Sequence, residues 1–194
     1  HSNNVNERTL LNLEKFFDIN IKKINYDLRT LNTSFIDEAK KLLPNNNYIG
    51  FSLTHANEKR IKHWPLNKFI DLANIIETKN KIPVFFAEKT NQEIINEVKS
   101  KVPKALFPEH QSSLASPALV TVLASRLEMA ISIDNGIMHM MSLSDVPMIV
   151  LFGPTKPEKF APNKDKIIIL DSKKLYKTSD ISKITVDDVI KHIL

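Results

Sequence analysis

Two apolar runs, Met129-Ala130-Ile131-Ser132-Ile133 and Pro147-Met148-Ile149-Val150-Leu151-Phe152, constrain this chain more than any other feature. A strand with one face in water alternates apolar and polar residues, whereas near-continuous apolar runs of this length belong to parallel strands covered on both faces. Further β-type runs near 48–53, 83–87, 104–107 and 166–170 alternate with stretches of helical periodicity. That alternation predicts βαβ units in a Rossmann-like α/β fold, a parallel sheet with helices on both faces. Helices are expected from Pro65, with Leu66, Phe69, Ile70, Ala73 and Ile76 on one face, and over 91–101, 116–126, 136–144 and 185–193, the last opened by Thr185.

The first 45 residues read differently: a helix over 7–17, an irregular or extended stretch at 21–26 and a helix over 34–43. Pro44-Asn45-Asn46-Asn47 is the clearest boundary signal, since Pro stops the preceding helix and Asn favours turns. We therefore expect residues 46–194 to form the ligand-binding domain and 1–45 to be the end of a preceding domain with its connection. His1-Ser2 looks like the remnant of a cleaved tag, and the abrupt start suggests a piece of a longer protein.

Composition narrows the function classes. A chain of 194 residues, 42% hydrophobic, suits one principal core, and no apolar run approaches the roughly 20 residues of a membrane helix. With no cysteine, disulfides and thiolate metal sites are excluded, the six histidines have no metal spacing, and a cytoplasmic location is expected. Net charge is +5, and seven Lys/Arg against six Asp/Glu before residue 46 leave most of that excess beyond it, in Lys59, Arg60, Lys62 and the 156–177 stretch. Such charge suits nucleic acid, an anionic surface or a phosphorylated ligand. Nucleic acid ranks last, because the basic residues gather on ligand loops and no aromatic-rich basic motif or zinc-finger pattern accompanies them.

In a parallel sheet the ligand sits beyond the carboxyl ends of the strands, here the loops after Leu53, Ile133 and Phe152. At Ser132-Ile133-Asp134-Asn135-Gly136-Ile137-Met138-His139 a buried strand turns directly into a helix. Gly136 permits close backbone approach, and the free N–H groups of the first helical turn form an anion site. Asp134 suits sugar hydroxyls, yet Asp134 or Asn135 can equally be the N-cap, with Gly136 serving the turn. His139 can donate to a phosphate or lean into a core of Met138, Met140 and Met141. The basic loop from His55 to Pro65 can neutralise a diphosphate or can be a solvated charged loop. Phe152-Gly153-Pro154-Thr155-Lys156 brings a hydroxyl and a cation to the same edge, although any turn uses Gly and Pro.

Arg60-x-Lys62-x-Trp64-Pro65, then Phe69-x-x-Leu72, Asp134-x-Gly136-x-x-His139, Pro147 and Phe152-Gly153-Pro154-Thr155-x-Pro157, in this order and spacing, resemble glycosyltransferase family 9. These are ADP-heptose:lipopolysaccharide heptosyltransferases and their relatives, and the match covers roughly residues 48–162, the carboxyl-terminal half of a two-domain GT-B enzyme. The resemblance implies donor binding: Lys62, with Arg60 beside it, against the donor's phosphates or sugar, Asp134, Gly136 and His139 around the diphosphate and sugar, Thr155 near the diphosphate, and Glu93, or else Glu88, facing the nucleoside. The residues seen require no metal, and no cofactor is expected. Asn135 stands where the family often has Ser or Thr, Lys156 where it often has Asp, and Met141 where a small residue is frequent.

The expected ligand is a nucleotide diphosphate sugar, ADP-heptose by resemblance, and the expected role is the donor half of an inverting glycosyltransferase acting on a lipopolysaccharide-type acceptor. The family's catalytic base is an Asp of the amino-terminal acceptor domain, so that domain is an expected partner and no catalytic residue is assigned here. A lipid acceptor leaves room for peripheral contact with the inner membrane. Two other readings stand beside this one: a non-catalytic nucleotide-sugar binding module and a GT-B-type nucleotide-sugar epimerase.

Overall fold

The computed structural model describes residues 3–18, 27–53 and 63–193. Five parallel strands form one sheet: β1 (Tyr48–Ser52), β2 (Ile82–Phe86), β3 (Met129–Ile133), β4 (Met148–Phe152) and β5 (Ile167–Asp171), in the order β2-β1-β3-β4-β5. Helices α1 (Val5–Phe17) and α2 (Thr33–Leu42) precede the sheet; α3 (Leu66–Thr78), α4 (Gln92–Lys101), α5 (Pro117–Ala124), α6 (Gly136–Leu143), α7 (Pro157–Phe160), α8 (Ser172–Tyr176) and α9 (Val186–Ile190) follow within it. The two apolar runs are the buried strands β3 and β4, paired from Ala130 with Met148 to Ile133 with Leu151.

Because successive side chains of a strand point to opposite faces, each strand feeds two cores. Ile49 and Phe51 of β1, Phe85 of β2, Ile131 and Ile133 of β3, and Ile149 and Leu151 of β4 pack under α3, α4 and α9, through Phe69, Leu72, Ile76, Val98 and Val189. Tyr48, Val84, Phe86, Ala130, Met148, Val150 and Phe152 pack on the other side under α2, α5 and α6, through Ala39, Leu119, Leu123, Met138 and Met141. Both faces are thus covered, which is why the strands carry so little polar residue.

One expectation at the margins changes. The run at 104–107 is not a strand but a single parallel bridge of Leu106 to Val84, with Phe85 N–H donating to Leu106 O at 2.8 Å and Leu106 N–H to Pro83 O at 2.9 Å. Pro108, which has no N–H to give a ladder, opens a 3-10 turn (Pro108–Gln111) directly afterwards. The stretch at 21–26 lies outside the described residues. At Pro44–Asn47 the chain turns tightly from α2 into β1: Leu43 is fully buried, and the Arg126 guanidinium donates to the carbonyls of Leu43, Pro44 and Asn45 at 3.1–3.2 Å. Among the described residues no helix is long and apolar enough to cross a membrane.

Candidate functional site

The order β2-β1-β3 makes the chain leave β1 toward one side and β3 toward the other, so a crevice opens between their carboxyl ends. Ser52 at the end of β1 is fully buried. Beyond it, Thr54, Arg60 and Lys62 lie outside the described residues. The far end of that loop is fixed: Trp64 is buried, its indole Nε1–H donates to Ile184 O at 2.9 Å, and its ring meets Phe69 edge-on at 4.8 Å. Lys68 adds bonds to Ser182 O and Ile184 O at 2.6 and 2.8 Å. The Trp-Pro signature therefore bolts the return of the loop to the C-terminal segment. Pro65, suggested by the sequence as the first helical residue, stands as the N-cap of α3, which begins one residue later at Leu66.

Across the crevice, Asn135 settles the capping question left open between two residues. Its backbone is extended (φ −146°, ψ 178°) and its Oδ1 accepts the Met138 N–H at 2.9 Å, so Asn135 is the N-cap of α6. Its Nδ2 donates to Ser52 Oγ at 2.6 Å, tying the end of β1 to the start of α6 across the switch point. With Met138 N–H taken by the cap, the amides of Gly136 and Ile137 remain the open end of the helix, where an anion meets both free donors and the positive end of the dipole. Asp134 is buried but its carboxylate is not spent on the cap.

Gly136 has no positive φ, and a Cβ built there meets no atom within 4 Å. Among the described residues neither the turn nor packing requires a glycine at that point. Gly153 is the opposite case: a Cβ there would lie 2.7 Å from Ile181 Cβ and 2.9 Å from Ser179 O, so the residue is fixed by the C-terminal segment crossing over it. His139 is half-buried on the first turns of α6. Burial pushes its imidazole below its ordinary value, and the negative charge of Asp134 opposes that shift.

The β4 loop supplies Thr155, whose Oγ1 is buried without a hydrogen-bond partner among the described residues. A hydroxyl withdrawn from water without a partner is costly and rare, and it marks a position that a ligand's acceptor or donor would satisfy. Lys173 holds the loop by donating to Pro154 O at 2.9 Å. Glu93 sits in the first turn of α4, exposed and after β2, on the same edge of the sheet. Glu88 is likewise exposed; no described contact joins either carboxylate to Asp134 or His139.

Sequence reasoning missed one cluster at this edge. Ala87, just past β2, gives its N–H to Glu109 Oε1 at 3.2 Å, and its carbonyl accepts from His110 Nε2 at 2.7 Å. A carbonyl only accepts, so the His110 proton resides on Nε2. Two consecutive side chains continue the ladder that the Leu106 bridge begins, closing the open edge of β2 without a strand. Burial pushes the Glu109 carboxyl up to about 7, against the lowering influence of the Ala87 N–H and of Lys89. No local pattern around Pro108-Glu109-His110 encodes this, because the partner lies 22 residues away.

Comparison with known proteins gives a consistent picture. The model of glycosyltransferase family 9 (heptosyltransferase) matches residues 2–189. The lipooligosaccharide heptosyltransferase 2 of Haemophilus influenzae is 24% identical over 111 residues, 56% of this chain and 32% of that protein. Among solved structures, the E. coli heptosyltransferase WaaC with ADP-2-deoxy-2-fluoro heptose superposes with a TM-score of 0.66 at 20% identity, over 96% of this chain and 54% of that one. A family 9 glycosyl transferase from Veillonella parvula gives 0.66 at 20% identity, over 89% and 51%. The chain thus spans about a third of the curated relative it matches and about half of these solved chains.

Proposed function

The chain belongs to glycosyltransferase family 9, and from that premise we propose that it is the donor-binding half of an inverting glycosyltransferase, taking a nucleotide diphosphate sugar and passing the sugar, a heptose, to a lipopolysaccharide-type acceptor. The observation that carries this reading is the division of labour at the start of α6. Asn135 caps the helix and is anchored to Ser52, which leaves the Gly136 and Ile137 amides for a diphosphate, while the buried Asp134 carboxylate before them takes the sugar hydroxyls. Thr155, with its buried unpartnered Oγ1, stands beside the diphosphate. Lys62 and Arg60 complete its neutralisation from the β1 loop, and Glu93 faces the nucleoside. The solved WaaC chain carries an ADP-linked fluoro-heptose, which supports ADP-heptose as the donor.

Transfer is a single displacement. The acceptor hydroxyl oxygen bonds to the anomeric carbon, the bond from that carbon to the diphosphate oxygen breaks, and the diphosphate leaves with the electron pair. The acceptor proton goes to a base from an amino-terminal half beyond these 194 residues. Within this chain the work is to bind and orient the donor and to stabilise the charge that develops on the departing diphosphate. Calorimetry with ADP, AMP and adenosine tests the reading: affinity is expected to rise with each phosphate, and equal affinity for ADP and adenosine would remove the phosphate cradle.

A further inference from the structure

The start of α1 lies against α7, and between them opens a surface cleft of about 300 Å3 lined by the exposed residues Asn3, Arg8, Lys156, Glu158 and Lys159. Its walls are held together by Asn4 Nδ2 donating to Ala161 O at 3.1 Å and Asn163 Nδ2 donating to Glu7 Oε1 at 2.6 Å. Three of the five lining residues are cations, and the one carboxylate is already engaged, with Glu158 Oε1 3.5 Å from Lys174 Nζ. A hydrogen bond from its own backbone N–H, and after it Lys174 and Lys156, hold the Glu158 carboxyl below its ordinary value. Among the described residues no carboxylate lies within ion-pair distance of Arg8, Lys156 or Lys159. Like charges gathered around one cleft repel each other, water screens much of that repulsion, and an anion entering the cleft relieves the rest.

We propose that this α1–α7 cleft is a second anion site, separate from the α6 terminus, that takes a phosphoryl group through the Arg8 guanidinium and the Lys156 and Lys159 ammonium groups. The guanidinium offers a planar fork for two oxygens, and the lysines act as point charges beside it. The cleft exceeds what one phosphate fills, so the group arrives either on a larger substrate or as free phosphate. The substrate-borne version rests on the transferase reading above, with the phosphate carried by the acceptor.

The test uses the whole 194-residue chain, labelled for amide spectroscopy and first saturated with ADP so that the α6 terminus cannot report. Inorganic phosphate and glycerol phosphate are then titrated, with sodium chloride at matched ionic strength as the control. Saturable shifts at the Arg8, Lys156 and Lys159 amides, absent with chloride, are expected. The Arg8→Ala/Lys159→Ala double variant should weaken the response at Lys156 by about tenfold while leaving the ADP-induced shifts at Gly136 in place, which also verifies its fold. Tighter binding of glycerol phosphate points to a substrate-borne group, tighter binding of inorganic phosphate to a free ion, and equal binding to recognition of the phosphoryl group alone. Non-saturating shifts, an equal response to chloride, or full binding by the double variant overturns the site. If ADP fails to shift Gly136 while the cleft saturates, the donor reading falls and this one stands.

Discussion

At the scale of single residues, the two glycines on the ligand edge separate structural from functional constraint. Gly153 lies under Ile181 and Ser179, so Gly153→Ala is expected to destabilise by about 1–3 kcal/mol, the usual cost of inserting a methyl into a filled space. Gly136→Ala meets no such obstacle and gains helix propensity, so its unfolding free energy should hold or rise while ADP affinity falls. Denaturant melts paired with calorimetry resolve the two cases; a Gly136→Ala chain that binds ADP normally would mean that no ligand approaches the backbone there. The same separation applies to the neighbours Asp134 and Asn135. Since the cap bond belongs to Asn135, Asn135→Ala should cost about 1 kcal/mol of stability and loosen the link to Ser52. Asp134→Ala should weaken a nucleotide sugar by on the order of 1–3 kcal/mol. A large loss of stability in Asp134→Ala with unchanged affinity would reverse these roles.

At the scale of elements, the edge of β2 is held by Glu109 and His110 on Ala87, and that device has a pH signature. The carboxyl sits at about 7 in the folded chain against an ordinary 4.5, so burial favours its neutral form. Its contribution to stability is complete below pH 4.5 and is lost as pH rises through 7, by roughly 3 kcal/mol at most. Glu109→Gln keeps an oxygen to accept the Ala87 N–H and removes the charge. It is expected to match the wild type in urea unfolding near pH 4.5 and to exceed it at pH 8; parallel curves across that range would deny the burial cost. This element also marks the limit of what the sequence discloses. The runs at 129–133 and 147–152 became β3 and β4 within a residue, because strands buried on both faces admit little but apolar side chains and their pattern is local. The Asp134-to-His139 turn was legible for the same reason, strand and helix periodicities meeting at one Gly. The run at 104–107 was misread because three apolar residues after Lys104 cannot reveal that Pro108 ends their ladder after one bridge. The Asn135–Ser52 bond spans 83 residues and was invisible, since only the strand order brings those positions together.

At the scale of the whole molecule, the site is one-sided. The groups proposed to bind the diphosphate and the sugar lie along one edge of a sheet, and the solved chains it superposes on are about twice as long. A transferase that takes its donor from one half and its acceptor and base from the other gains rate by holding both across a closing cleft. Fixing two reactants in attack geometry can contribute roughly 7–11 kcal/mol, and a positioned base adds about a hundred- to ten-thousand-fold. Donor binding alone secures neither. The 194-residue chain is therefore expected to bind the nucleotide sugar yet give no detectable transfer from ADP-heptose to a lipid A core acceptor, whereas supplying an amino-terminal family 9 half should restore turnover. Replacing the candidate base in that half should abolish turnover while leaving calorimetric donor affinity intact, because the two functions reside on different halves. Product formation by the isolated chain would place a base within these residues, and the division of the reaction between two halves would have to be abandoned.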